Sequence, residues 1–453
     1  MKNFLKLFMK LTYLQSASVI VENKGVKILC DPWLVDGEYY GSWIHYPPLN
    51  FKPEDFNDLD YIYISHIHLD HFSPKTLKLM NKDIPVLILN YVNKFLKNNL
   101  ERLGFKVIEL EHNLRVALKG DMSINILAAD YCDPEKCGLF TGCSFVEDKY
   151  GSTHIDSMSV IDDGNEVIVN TNDCPFDIAK YSVEDIKRKY KNIDLLLVGY
   201  SGAGPFPQCF ELKEEEKNLA AQKKKKQFFK QAEEYINLFK PKYFMPFAGR
   251  YTLAGKLHSL NNQRGVPELE EANEYFLCST KIDQKQSKSI ILNPMESFDI
   301  KTGKASNQYK PIDITEKEKY IQQYASKIKF DYESESVSFN DIEELIPKAF
   351  EKFNRKRKEF NYTSKCTVLI PIPNNRCVVL PMDGNDFKIL EVDRINETEY
   401  VKLTVDNRLL KWILLGPKYA HWNNAEVGSH IKFERKPEKF DRALYFLLSF
   451  FHS

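Results

Sequence analysis

Six consecutive residues, His66-Ile67-His68-Leu69-Asp70-His71, carry three imidazoles and one carboxylate in a chain that has only 10 histidines among 453 residues. Imidazole and carboxylate together suit a borderline-hard divalent ion, so the hexapeptide is a candidate site for zinc, iron or manganese. A chance cluster of surface histidines is a poor alternative when three of ten fall in one run. Asp173, in Asn170-Thr171-Asn172-Asp173-Cys174, is the best candidate to complete the site. A carboxylate there can bridge two metals about 3.5–4 Å apart. His154, in Gly151-Ser152-Thr153-His154-Ile155-Asp156, and His258, in Leu257-His258-Ser259, are further candidate ligands, with an ordinary loop histidine as the alternative for each. His45, His112, His421, His430 and His452 have no ligand neighbours in sequence and read as structural or exposed.

Such ligands need rigid elements behind them. Tyr61-Ile62-Tyr63-Ile64-Ser65 is aromatic and β-branched and reads as a buried strand. Ser73 and Pro74 read as the N-cap and first position of a helix over residues 75–80. The ligand loop therefore leaves a strand end, and Asp173 holds the same position after Val167-Ile168-Val169. Before them, Ser18-Val19-Ile20-Val21 and Val26-Lys27-Ile28-Leu29-Cys30 form a hairpin turning at residues 22–25. Further strand-like runs follow up to Tyr243-Phe244-Met245, with helical patterns at 91–102, 182–190 and 211–239. Paired strands with helices between them predict two packed sheets covered outside by helices.

Near residue 300 the pattern changes. Residues 301–310 are polar and loop-like; helical runs at 315–328 and 340–360, short strands at 367–372, 377–381, 387–392 and 400–405, and a helix near 437–452 follow. The expectation is a metal-binding catalytic domain over 1–300 and a separate α+β domain over 301–453 without ligands of its own.

Composition narrows the partners. Lys plus Arg (63) equals Asp plus Glu (63), so no net field gathers nucleic acid or an acidic membrane surface. The four lysines at 223–226 sit between glutamates in a helical pattern and read as a solvated helix face. Nine scattered cysteines without a Cys-x-x-Cys argue against a disulfide framework and for a reducing cytoplasm. Lys6 and Lys10 break the apolar start, which disfavours a secretory signal, and no run of 18 apolar residues predicts a membrane span.

The order of two opening strands, His-x-His-x-Asp-His, a later His, an Asp after a strand and a late His is similar to the metallo-β-lactamase superfamily. That resemblance implies an α/β fold, an αββα sandwich. It also implies that His66, His68 and His154 bind one metal, Asp70, His71 and His258 the other, and that Asp173 is shared. Asp31-Pro32-Trp33-Leu34, the strand into His66, Asn170-Thr171-Asn172-Asp173-Cys174 and Pro246-Phe247-Ala248-Gly249 occur in one order over roughly residues 11–265. Together they resemble the metallo-β-lactamase-like module of the CMP-N-acetylneuraminate hydroxylases, more faintly continued around Trp422-Asn423-Asn424-Ala425-Glu426. This narrower likeness implies iron, oxygen and a nucleotide-activated sugar. The sequence has no Cys-x-His paired with Cys-x-x-His for a Rieske cluster, so electrons would come from a separate ferredoxin-like donor.

Ser201-Gly202-Ala203-Gly204 follows the strand Leu195-Leu196-Leu197-Val198, and its glycines would let backbone amides approach a phosphate or carboxylate. Arg250 would pair with an anionic group of the substrate, although a surface ion pair explains it as well. Two enzyme readings share the site. An oxygenase would hydroxylate an activated sugar, whereas a zinc- or manganese-dependent hydrolase would cleave a lactone, ester or phosphodiester with Asp70 helping to orient the attacking hydroxide. A non-catalytic metal-stabilised binding protein is the third and weakest reading.

Overall fold

The computed structural model describes residues 8–91, 93–129 and 156–453. Two sheets lie face to face. The first runs Lys304–Ala305, Ser297–Asp299, Lys10–Gln15, Ser18–Asn23, Val26–Cys30, Tyr61–Tyr63, Val86–Leu89, Val107–Leu110. The second runs Lys288–Ser289, Tyr243–Phe247, Leu195–Gly199, Val167–Asn170, Ser157–Asp162, Ser123–Ala128, Arg115–Ala117.

The period-2 alternation of a strand builds the layers. Val19, Val21 and Ile28 point between the sheets, where they join Ile124, Ile126, Leu195 and Leu197. Their neighbours Ile20 and Leu29 point outward, against Leu77 of the helix Pro74–Leu79 and Leu96 and Leu100 of Phe95–Arg102. On the second sheet Leu196 and Val198 face outward against Val183, Ile236 and Phe276, from the helices Phe176–Lys189, Glu214–Phe239 and Leu269–Cys278. This is the αββα sandwich that the sequence predicts.

The parallel strands decide where function sits. Val26–Cys30 and Tyr61–Tyr63 are parallel neighbours in one sheet, as are Val167–Asn170, Leu195–Gly199 and Tyr243–Phe247 in the other. Their C-terminal ends deliver Asp31, the histidine loop, Asp173, the Ser201 loop and Arg250 to one rim. Loops at the carboxyl ends of parallel strands are the usual place for a ligand in such sheets.

The C-terminal region has a five-stranded sheet ordered Lys388–Glu391, Arg376–Pro381, Thr367–Ile372, Tyr400–Val405, Ile431–Lys436. The expected strands are present. Two helices, Asn407–Leu415 and Trp422–Val427, and the strand Ile431–Lys436 were not expected, and the last helix is confined to Arg442–Leu448.

Around residue 300 the two regions are joined by sheet and core. The strand Lys304–Ala305 extends the first sheet past it, and the polar stretch is tied down where Asn293 bonds Lys310 in both directions at 2.7 and 2.8 Å. One core cluster crosses the boundary, joining Trp33, Tyr39, Trp43 and Tyr251 of the sandwich to Phe330, Phe353, Trp422 and Phe433. Burying one such side chain contributes about 1.5–3 kcal/mol, so exposing four of them would cost an amount comparable to a whole domain's stability. The described residues contain no helix long and apolar enough to cross a membrane.

Candidate metal centre

Ligand-bearing atoms converge in two groups, His66–His68–Asp156 and His66–His71–Asp173, each with its atoms within 4.8 Å of one another. His66 Nε2 lies 2.9 Å from His68 Nδ1, 3.4 Å from Asp156 Oδ1 and 3.9 Å from Asp173 Oδ2. His71 Nε2 lies 3.5 Å from both Asp173 Oδ1 and Asp70 Oδ2. Two donors each about 2.1 Å from one ion and roughly at right angles to tetrahedrally disposed stand about 3.0–3.4 Å apart, which is the spacing most of these edges approach. The donor set therefore fits divalent transition metals on geometry as well as on chemistry.

The loop is aimed by what lies behind it. Asp31, fully buried, accepts from Ser65 N at 2.7 Å and Ser65 Oγ at 2.8 Å, and its Oδ2 lies 2.9 Å from His71 Nδ1. A carboxylate on Nδ1 fixes the tautomer that leaves Nε2 for a metal. Ser65 Oγ is also 2.9 Å from His66 Nδ1, so one serine orients two rings. Asp31 (φ 47°) and Asn172 (φ 46°) both take the left-handed region, which Asp and Asn tolerate best among residues with a Cβ. Such conformations at two strand ends beside one rim fit a functional site.

Electrostatics agree. Burial holds His66 and His68 below the usual histidine range, so both rings are neutral and able to ligate. Burial works the same way on His71, but the carboxylates of Asp173, Asp31 and Asp70 outweigh it and lift that imidazole well above the ordinary value. Desolvation likewise raises Asp173, and the His71 cation beside it prevails and holds its carboxyl low. This part of the rim is built for a cation, and a metal would take the place of the His71 proton.

Asp70 does not stand alone. Tyr39 Oη donates to its Oδ1 at 2.6 Å, and the Tyr39 carbonyl accepts from His430 Nε2 at 2.8 Å. Tyr40 Oη lies beside the backbone of His421, whose N–H donates to it at 2.8 Å. Asn423, two residues on, lies near the His68 ring and works slightly against the burial that lowers it. The C-terminal region thus reaches the ligand loop by two routes.

The sequence-predicted residues fall out unevenly. His66, His68, His71, Asp70 and Asp173 are together. His66 belongs to both groups, and Asp173 stands between His66 and His71, the place expected of a shared ligand. His154 lies outside the described residues. His258 is in the 3-10 helix Gly255–Gln263 with Nδ1 2.9 Å from the Gly255 carbonyl, and neither ligand group includes it. Asp156 stands in the first group instead; its signal was a carboxylate just ahead of the strand Ser157–Asp162.

Ser201 lies against Gly249, with Oγ 3.4 Å from that carbonyl. A Cβ at Gly202 would meet the tip of the half-buried Phe228 ring at 2.1 Å, so a side chain there requires that ring to move, whereas Gly204, at φ 114°, faces open space. Arg250 is buried and donates to Tyr309 Oη at 3.1 Å, which excludes the surface ion pair. Of the four lysines at 223–226, Lys224 binds the Phe206 and Arg264 carbonyls and Lys225 pairs with Glu271, so half of that face is engaged.

Histidines and aspartates gathered at the strand ends of an αββα sandwich form two groups able to hold metal ions. A family model described as the beta-lactamase superfamily domain matches residues 10–138. A provisionally named Rieske 2Fe-2S iron–sulfur protein of Mycolicibacterium smegmatis is 27% identical over 71% of this chain and 60% of its own length. The cytidine monophosphate-N-acetylneuraminic acid hydroxylase of Danio rerio is 24% identical over 58% of this chain and 42% of its own. The chain thus spans less than two thirds of either relative. Among solved structures, the diiron β-hydroxylase CmlA of Streptomyces venezuelae is 16% identical, with a TM-score of 0.42 over 65% of this chain and 54% of that one.

Proposed function

We propose that the chain is the dinuclear-metal module of an oxygenase that hydroxylates a nucleotide-activated sugar with electrons from a separate ferredoxin-like donor. The observation that carries the reading is the extent of similarity to the Danio rerio hydroxylase, which covers 58% of this chain, about twice the stretch that the superfamily domain accounts for. The mycobacterial relative, named for an iron–sulfur cluster, supports an electron donor as partner.

Hydroxylation places one atom of O2 in a C–H bond and reduces the other to water with two electrons and two protons. Iron at the two ligand groups would supply the redox chemistry toward oxygen, and zinc or manganese would supply Lewis acidity for hydrolysis. The chain's own residues position and insulate. Asp31 and Ser65 fix the rings of His71 and His66, and Tyr39 orients Asp70. Trp33, Tyr39 and Trp43 are buried beside the loop, which keeps bulk water from one side of it.

The test compares iron- and zinc-loaded protein under air and under nitrogen, with a panel of activated sugars, lactones and phosphodiesters. The reading predicts oxygen consumption by the iron form only when a reduced ferredoxin-like donor and a sugar nucleotide are both present. Turnover by the zinc form without oxygen would assign hydrolysis instead.

A further inference from the structure

Aromatic rings leave the metal centre in a line. Tyr39 Oη donates to Asp70 Oδ1 at 2.6 Å, and the Tyr39 ring packs on Trp43 with centroids 4.5 Å apart. Trp43 lies flat on Tyr251 at 3.5 Å, with 3° between the planes. Tyr251 and Tyr46 border one narrow cleft, Tyr46 packs on Tyr320 at 5.3 Å, and Tyr320 packs on Tyr324 at 5.0 Å. The first three rings are at most 5% exposed, whereas Tyr324 is 53% exposed. The line thus begins on a carboxylate of the ligand loop, runs through the interior and ends in solvent. Aromatic contacts at such distances are ordinary core packing. Packing alone does not require that the first ring bond a ligand and the last one leave the core. Trp33 is the contrast: it packs on Trp43 at 5.9 Å, is fully buried and lies off the line.

We propose that these side chains carry oxidising equivalents from the metal centre to the surface when oxygen is activated with no substrate in place. The inference rests on the oxygenase reading above. Tyrosine and tryptophan give up an electron only to strong oxidants, so the rings cannot store the electrons of a ferredoxin-like donor; they carry vacancies instead. One electron leaves the Tyr39 phenol, and its proton crosses the hydrogen bond to Asp70. Trp43 refills the phenoxyl and the proton returns from Asp70. The vacancy then moves ring by ring to Tyr324, where a soluble thiol gives an electron to the ring and a proton to solvent. Two passages turn two thiols into a disulfide, and one hydrogen peroxide, taking two electrons and two protons, into two waters. The imidazoles of the ligand loop thereby escape oxidation.

Hydrogen peroxide tests the line without a donor or a sugar, because it brings oxygen already reduced by two electrons. The full chain is loaded with iron, its metal content is measured, and peroxide is added with a nitroso spin trap. Electron paramagnetic resonance reads the frozen sample, and peptide mass spectrometry maps the adduct. A tyrosine-type radical and an adduct on Tyr320 or Tyr324 are expected, and neither in the zinc form. Trp43→Phe keeps a ring in place but resists oxidation, so it should lose most of the adduct while retaining its iron. Trp33→Phe, an equal loss in the same core, should keep the adduct. No protein radical, an adduct in the zinc form, or equal losses in the two variants would overturn the proposal. Radical transfer in a chain that hydroxylates no activated sugar would remove the oxygenase reading and leave the line standing. Hydroxylation with no radical on the line would do the reverse.

Discussion

In the sandwich, the histidine loop and Asp173 leave parallel strands, and the rings of His66 and His71 are aimed by Ser65 and Asp31 at strand ends beside them. In the C-terminal region no described residue enters either ligand group, yet Asn423 meets His68 and His430 holds Tyr39, which in turn holds Asp70. The first region supplies chemistry and the second supplies constraint. What separates them is sequence distance: ligands of the histidine loop need one turn of chain, whereas the constraint from the C-terminal region spans most of it, as His430 to Tyr39 does at a separation of 391. A site can therefore be marked locally while its rigidity is a property of the whole fold.

Variants sharpen the contrast, beginning with the sandwich. His66→Ala removes the residue common to both groups, so metal content should fall by at least half and turnover should drop below detection. Elemental analysis and activity are read together; retained metal would mean that His66 is not shared. Asp31→Asn comes next. It weakens the anchor of His71 and leaves an amide where Ser65 donates twice, so metal affinity should drop about 10–100-fold. A competition titration with a chelator measures it, and an unchanged affinity would reduce Asp31 to a structural role.

The C-terminal side should give smaller numbers. Asn423→Ala removes a polar side chain beside the His68 ring, which predicts a loss of a few-fold in metal affinity with the melting temperature almost unchanged. A wild-type affinity would break the claim that this region constrains the loop. Proteolysis probes the same boundary: cleavage within 301–310 should leave two fragments that co-elute on gel filtration, because the cluster around Trp33, Trp43 and Phe330 crosses the cut. Fragments that separate would restore two independent domains.

The smallest effect concerns pH. Glu38 is buried on the loop between the two regions, accepts from Ser73 Oγ at 2.5 Å, and burial pushes its carboxyl up to about 7. A raised carboxyl is protonated in the fold at pH values where the unfolded chain has already ionised. Its stabilising effect is complete below about 4.5 and is lost as pH rises to about 7. Glu38→Gln should flatten the melting temperature across that window by a few degrees. An unaltered slope would assign the pH dependence elsewhere.

Much of this was legible in the chain. His66, His68, Asp70 and His71 are contiguous, and Asp173 repeats their strand-end position, so local pattern sufficed for them. The hairpin and the period-2 runs gave the sandwich for the same reason. Asp156 was hidden because a single carboxylate before a strand has no pattern. His258 stands outside both ligand groups of the described residues, and a histidine's place in sequence says nothing about where its ring points. Tyr39, Asn423 and His430 were illegible because their roles exist only once residues 39, 70 and 430 have been folded together. The change in composition near residue 300 marks a change of architecture, while the core around Trp33, Trp43 and Phe330 runs across it.

The most direct test of the account is the metal content of full-length protein, reconstituted with iron and desalted, measured beside its visible spectrum. Two ions per chain are predicted, falling to one or fewer in Asp173→Ala. Less than about half an ion per chain in the wild type would contradict the metal centre and everything derived from it.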